Sequence, residues 1–239
     1  VVDNWRRLGY NPEIINVEKI AAPSALRSSL SEIGKEVRGR TRLEEKSDTA
    51  TTSDFQSRIV SILFADAVGF SKLSEPEVPR FVKHFFGAIA TLTEEFEHSI
   101  IASNTWGDGL YFVFDNVDLS GDFALRLAEL VGRTNWPEKG LRTELNLRIA
   151  LHAGPVYEFA DPITGRRNFT GTHVNRAARI EPITPPGQVY GSEAFAALAA
   201  AEHAKSFTCD YVGQTPMAKG YGTLPVYHVR RRTGLAIAL

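Results

Sequence analysis

The chain has 239 residues, of which 43% are apolar, and a formal net charge of −1. That length accommodates one full domain with a buried core plus an accessory segment, and the near-zero charge excludes a global field favouring nucleic acid or an acidic membrane. The single cysteine, Cys209, excludes an internal disulfide and a cysteine-based zinc cluster, and no apolar run approaches the ~20 residues of a membrane helix.

The first segment, Val1 to Glu18, reads as the tail of an upstream domain. Met217 is the only methionine, and no charged-then-apolar signal peptide opens the chain. With one cysteine, these features point to a reducing, cytoplasmic setting. From Ser24 a helix is predicted, with Leu26, Leu30, Ile33 and Val37 on one seam. The seam suits either an amphipathic helix packing on its own domain or a short dimer-forming, signal-relaying helix. Glu44 to Asp54 is polar, small and acidic, which is linker composition. The expected division is therefore a tail with a helical linker over 1–55 and a second domain over 56–239.

In that second domain, Arg58 to Ala65 is a nearly continuous apolar run, predicted as a strand buried on both faces. Ser74 and Glu77 suit a capping box. The helix after them carries Val78, Phe81, Val82, Phe85, Ile89, Leu92 and Phe96 on one side. Ile100 to Trp106 and Leu110 to Asp115 form a predicted hairpin around Gly107-Asp108-Gly109. A helix over 120–133 and an alternating strand over 145–151 follow. The order β-α-β-β-α-β is that of a ferredoxin-like sandwich, so the fold class is α+β. An irregular arm, Pro155 to Asn168, then leads to a helix over 172–181 that stops before Pro182. A short strand, an alanine-rich helix and two strand-like segments complete the fold.

Asp66 ends the first strand, where a carboxylate is aimed at the sheet edge. The turn Ala67 to Ser71 is expected to enter a helix and present free backbone N–H groups, including those of Gly69, Phe70 and Ser71, to phosphate oxygens. Asp108 sits in a hairpin turn. Adjacent strands are ~4.8 Å apart, so these two carboxylates could share cations. Like charges that close raise each other's proton affinity unless a cation neutralises them. Magnesium suits such oxygen ligands and keeps water and substrate phosphates in its shell. Asn175 and Arg179 are four apart and share a helix face. Arg offers a planar fork to phosphoryl oxygens, and Asn can donate to an ester oxygen or orient a ribose. His84, His98, His173 and His203 show no ligand spacing and read as structural, with His173 also near enough to the helix and arm to touch a substrate.

Five motifs, in this order and spacing, resemble the class III nucleotidyl cyclases, the adenylate and guanylate cyclase catalytic domain. They are FADAVGFS (64–71), WGDGLYFVF (106–114), LRIALHAGPV (147–156), GTHVNRAARIE (171–181) and AKGYG (218–222), and the likeness covers about Arg58 to Val229. The resemblance implies that Asp66 and Asp108 hold two Mg²⁺ or Mn²⁺ ions per site, with the carbonyl of Ala67 as an extra ligand. It implies that Asn175 and Arg179 stabilise the transition state and that Lys219 contacts the terminal phosphates. It further implies a homodimer with sites at the interface, the Asp pair from one subunit and the Asn/Arg/Lys set from the other. An upstream sensor in the same protein is expected to act through the helical seam. Nucleic acid and membrane are not expected partners of this segment.

The expected reaction is conversion of ATP to 3′,5′-cyclic AMP and pyrophosphate. The base-reading positions depart from the family. Adenylate cyclases resemble a Lys/Asp pair and guanylate cyclases a Glu/Cys pair, whereas Asn104 and Asn168 stand here. An amide both donates and accepts, so it can read adenine, guanine or a pyrimidine. The absence of Glu and Cys favours ATP, with another triphosphate or a catalytically silent nucleotide-binding module as alternatives. Pro155 occupies a place where some members carry a phosphate-directed arginine. The hairpin lacks the Gly-Gly-Asp/Glu-Glu-Phe signature of diguanylate cyclases.

Overall fold

The computed structural model describes residues 56–142, 144–217 and 220–232. The seam at Leu26 to Val37, the acidic linker and Lys219 lie outside the described residues. Strand β1 (Gln56–Val68) is central and pairs antiparallel with β3 (Gly109–Phe114) on one side and β4 (Asn146–Ala160) on the other. With β2 (Ile100–Trp106), the order β2-β3-β1-β4 is the expected ferredoxin-like one. The sheet continues through β6 (Val189–Ser192), β8 (Thr223–Arg231) and β7 (Phe207–Pro216), while β5 (Arg167–Thr170) pairs with the far end of β4.

Period-two burial along β1 separates two faces. Leu63, Ala65 and Ala67 point into the main core with helices α1 (Val78–Arg80, a π segment Phe81–Phe86, and Gly87–Glu94), α2 (Val117–Arg133) and α4 (Glu193–Ala201). Val60 and Ile62 point the other way, into a smaller cluster with Tyr111, Val156, Phe169 and Ala177. Ala177 belongs to α3 (Thr172–Ile180), which packs on that opposite face. Asp66 continues the even-numbered register of β1, so it shares the face that α3 covers.

Half of the capping box forms: Glu77 Oε2 accepts from the Ser74 backbone N–H at 2.8 Å and from its hydroxyl at 2.6 Å, while among the described residues the hydroxyl caps no backbone N–H and the helix begins at Val78. Helix α2 begins earlier than its apolar register predicts. Asn116 caps it by accepting from the Leu119 N–H at 2.8 Å, and Val117 and Ser120 are buried.

Two local expectations are corrected. The segment after Asp66 does not run into a helix: Gly69 adopts φ 94° and leads into a single 3₁₀ turn, Phe70–Lys72, with α1 starting only at Val78. Residues 155–160 are not irregular, because β4 runs on to Ala160 and pairs with both β1 and β5. Pro155 is accommodated because it falls between the stretch paired with β6 (Ile149–Leu151) and the stretch paired with β5 (Tyr157–Ala160), where no ladder bond on that side is lost. The turn at 162–165 forms as expected, closed by the Gly165 N–H donating to the Asp161 carbonyl at 2.7 Å.

Candidate functional site

Sheet register brings the two aspartates together. Asp66 pairs with Gly109, so Asp108 lies in the adjacent hairpin turn. Gly107 has φ 63° while Asp108 stays at negative φ, the pattern of a type II′ hairpin that needs glycine first. The Asp108 carboxyl has its proton affinity raised by partial burial and then by the charge of Asp66. The two groups therefore repel, as neighbours in want of a cation do. The β1–β3 ladder ends at the Asp66–Gly109 pair while β1–β4 continues to Val68, so Ala67 lies just beyond the last β3 partner. Gly69, Phe70 and Ser71 follow in the 3₁₀ turn, where the first internal bond is the Lys72 N–H to the Gly69 carbonyl at 3.1 Å. The amides of Phe70 and Ser71 precede that bond and so have no partner within the turn.

Two further charged residues, missed in the sequence, complete this corner. Arg148 stands opposite Asp66 in the β1–β4 ladder. Its Nη2 donates to Asp66 Oδ2 at 2.8 Å, and its Nε donates to Glu181 Oε1 at 2.9 Å. Glu181 follows the last residue of α3 and has its proton affinity raised by burial and then by Asp66. Among the described residues, no three His, Cys, Asp or Glu side chains form a cation cage. The donor set is two hard, neighbouring carboxylates, with Arg148 shared between Asp66 and Glu181. That set fits Mg²⁺ or Mn²⁺, which fill their shells with water and phosphate oxygens.

Helix α3 carries the other half. Asn175 is exposed, and the Arg179 guanidinium lies 5.8 Å over the Tyr221 ring. Arg179 Nε is buried without a hydrogen-bond partner. Among the described residues Arg179 makes no ion pair with Asp66 or Asp108. Tyr221, in the motif that also holds Lys219, is a partner that no local pattern announced.

The two positions expected to read the base are placed differently from each other. Asn104 is exposed on β2, and its Oδ1 accepts from the Thr105 N–H at 2.9 Å. It lines a cleft of about 470 Å³ with Phe86, Ile89, Leu110 and Arg166. Asn168 is engaged within the arm: its Nδ2 donates to Asp161 Oδ2 at 3.0 Å and its Oδ1 accepts from the Phe169 N–H at 2.8 Å. Strands β3, β1 and β4 separate β2 from β5. Arg166, rather than Asn168, is the arm residue beside Asn104.

His173 points inward rather than to the cleft. Its Nδ1 shares a hydrogen bond with His152 Nε2 at 2.8 Å, and His152 Nδ1 lies 2.6 Å from Ser192 Oγ. Ser192 also caps α4. A Cβ on Gly154 would stand 2.1 Å from the His173 ring, so glycine is what lets α3 seat this pair. Burial, then the neighbouring His173 and Arg176, pushes His152 down to about 3. The unfolded chain takes up that proton near the ordinary value of ~6.5. This contribution to stability is thus full above the ordinary value and is lost as pH falls toward 3. Urea unfolding measured between pH 6.5 and 5 is expected to show stability falling with pH, and His152→Gln is expected to reduce the slope by about one proton.

Residues 54–231 match the family model for the adenylate and guanylate cyclase catalytic domain. A pH-sensitive adenylate cyclase of Mycobacterium tuberculosis is 28% identical over 188 residues, covering 74% of this chain and 43% of that protein. The chain thus spans less than half the length of this curated relative. The guanylate cyclase domain of RhGC from Catenaria anguillulae, solved with GTP, is similar with a TM-score of 0.62 and 20% identity, over 74% of this chain and 99% of that one. The adenylyl cyclase CyaB from P. aeruginosa is similar with a TM-score of 0.61 and 17% identity, over 76% of this chain and 98% of that one. At those identities the likeness to the two structures is one of fold. Among the described residues, no helix is long and apolar enough to cross a membrane.

Proposed function

This chain belongs to the adenylate and guanylate cyclase catalytic domain family, and from that premise we propose that it converts ATP to 3′,5′-cyclic AMP and pyrophosphate. The ribose 3′-oxygen attacks the α-phosphorus, the bond to the β-phosphate oxygen breaks, and pyrophosphate leaves with that electron pair. The observation that carries the reading is the mutually repelling Asp66–Asp108 pair at the shared end of β1 and the β2–β3 hairpin. Asp66, Asp108 and the Ala67 carbonyl would hold two divalent cations there, which would lower the pKa of the attacking hydroxyl and neutralise charge on the triphosphate. The amides of Gly69, Phe70 and Ser71 bind phosphate oxygens. Asn175 orients the ribose, Arg179 meets the charge that grows at phosphorus, and Lys219 holds the terminal phosphates.

The partnerless Arg179 Nε, resting over Tyr221 and away from the carboxylates, supports a site completed by a second copy of the chain. In that homodimer the aspartates of one subunit face α3 of the other. Residues 1–55 serve as the link to an upstream sensor.

ATP is favoured by the adenylate cyclase activity named for the mycobacterial relative and by the absence of Glu and Cys at the base-reading positions. GTP is the second reading, favoured by one observation: Arg166, a donor-only side chain, lines the cleft beside Asn104 and suits the acceptor edge of guanine. Incubation with each of the four ribonucleoside triphosphates and Mn²⁺, with products identified by mass spectrometry, separates these. Cyclic AMP as the main product is expected. Nucleotide binding without any cyclic product would leave a silent binding module instead.

A further inference from the structure

We propose that Arg148 is a positioning residue for Asp66 whose grip is set by Glu181, so that the exit of α3 governs how firmly Asp66 takes a divalent cation. This rests on the reading of Asp66 as a cation ligand. Arg148 and Asp66 are directly opposed in an antiparallel ladder, which puts their Cβ atoms ~5 Å apart on one face. One guanidinium then serves two acids through separate nitrogens, Nη2 to Asp66 at 2.8 Å and Nε to Glu181 at 2.9 Å. The Glu181 side chain is only 15% exposed. At the C-terminal end of α3 its charge is opposed by the helix dipole, so the pairing with Arg148 is what holds it there.

The two partners act on Asp66 with opposite sign. The guanidinium competes with a metal ion for the carboxylate, while Glu181 draws the guanidinium aside and offsets its charge. A small displacement of α3 moves Glu181 and redistributes Arg148 between the two acids. Because α3 also carries Asn175 and Arg179, which in the proposed homodimer serve the other cleft, phosphoryl contact in one cleft and cation grip in the other are coupled free energies.

The test is Mn²⁺ binding to the full chain without nucleotide, read from the free-ion signal in electron paramagnetic resonance, with thermal unfolding as the check on folding. Arg148→Gln is expected to bind Mn²⁺ about fivefold tighter and Glu181→Gln about fivefold weaker. Arg148→Lys keeps the charge, but one ammonium does not span both acids, so it is expected to follow Glu181→Gln. In the Arg148→Gln background, Glu181→Gln should weaken binding clearly less than it does alone, because only the direct field of its charge remains once the guanidinium is gone. Shifts of the same sign in both single variants, unchanged binding in Arg148→Lys, or an undiminished Glu181→Gln effect in the double variant would overturn the proposal. If Arg148→Gln fails to fold, Arg148→Lys and Glu181→Gln carry the test. Wild-type protein that binds no Mn²⁺, or binds it equally after Asp66→Ala, sinks the cation reading itself and the proposal with it.

Discussion

Arg179→Ala is expected to lower the maximal rate of cyclic nucleotide formation by about 10²–10³-fold while substrate still binds. Negative charge builds on the α-phosphoryl oxygens as the 3′-oxygen closes on phosphorus. A guanidinium whose Nε is already desolvated and unpartnered gives its full strength to that charge, with little reorganisation needed. Its ring neighbour Tyr221 holds the plane without consuming an N–H donor. Removing it therefore costs the transition state far more than the ground state, which lowers kcat with a small change in KM. Arg179→Lys keeps a positive charge and loses the planar fork, so only partial rescue is expected. Steady-state kinetics with ATP and Mn²⁺ checks both variants. A rate within twofold of wild type in folded Arg179→Ala would remove α3 from the chemistry.

Asp66→Ala is expected to abolish turnover, by about 10³-fold or more. Cation charge stabilisation worth several kcal/mol is lost with the ligand. The remaining carboxylates respond in a defined direction, since burial first and then the charge of Asp66 raise the proton affinity of both Asp108 and Glu181, and only the second part is removed. Without it both return toward ordinary carboxylates, and Arg148 is left to Glu181. Folding is therefore expected to survive while metal dependence does not. Mixing Asp66→Ala protein with Arg179→Ala protein should restore activity, because a heterodimer then holds one intact cleft built from the undamaged half of each subunit. Random pairing gives roughly a quarter of wild-type activity per total protein. A mixed dimer that forms and stays inactive would place both halves of the site in one chain.

The residues of the candidate site were legible from five motifs taken together, each modest by itself and specific in its order and spacing. Asp66 ends an apolar run, Asp108 fills a Gly-Asp-Gly hairpin, and Asn175 and Arg179 share one face of a short helix. Strand alternation, turn chemistry and helical period are properties of a few neighbouring residues. They also yielded the ferredoxin-like order β2-β3-β1-β4, because the first four strands alternate with two amphipathic helices.

What sequence alone left open depends on partners far along the chain. The arm after Pro155 is strand only because β1 and β5 flank it, and a proline-bearing segment shows no such pairing by itself. Arg148 looks like any polar residue alternating in a strand until register sets it against Asp66, 82 positions away, with Glu181 another 33 positions from it. The His152 contact with Ser192 spans 40 positions, and the His152 contact with His173 spans 21, which makes His173 a half-buried strut. Sequence thus determined which candidate groups stand at the strand, the hairpin and the helix face, since period and turn type are local energies. Tertiary structure decided what holds those groups, since strand register and helix docking are set by packing across the whole sheet and leave no mark on any single segment.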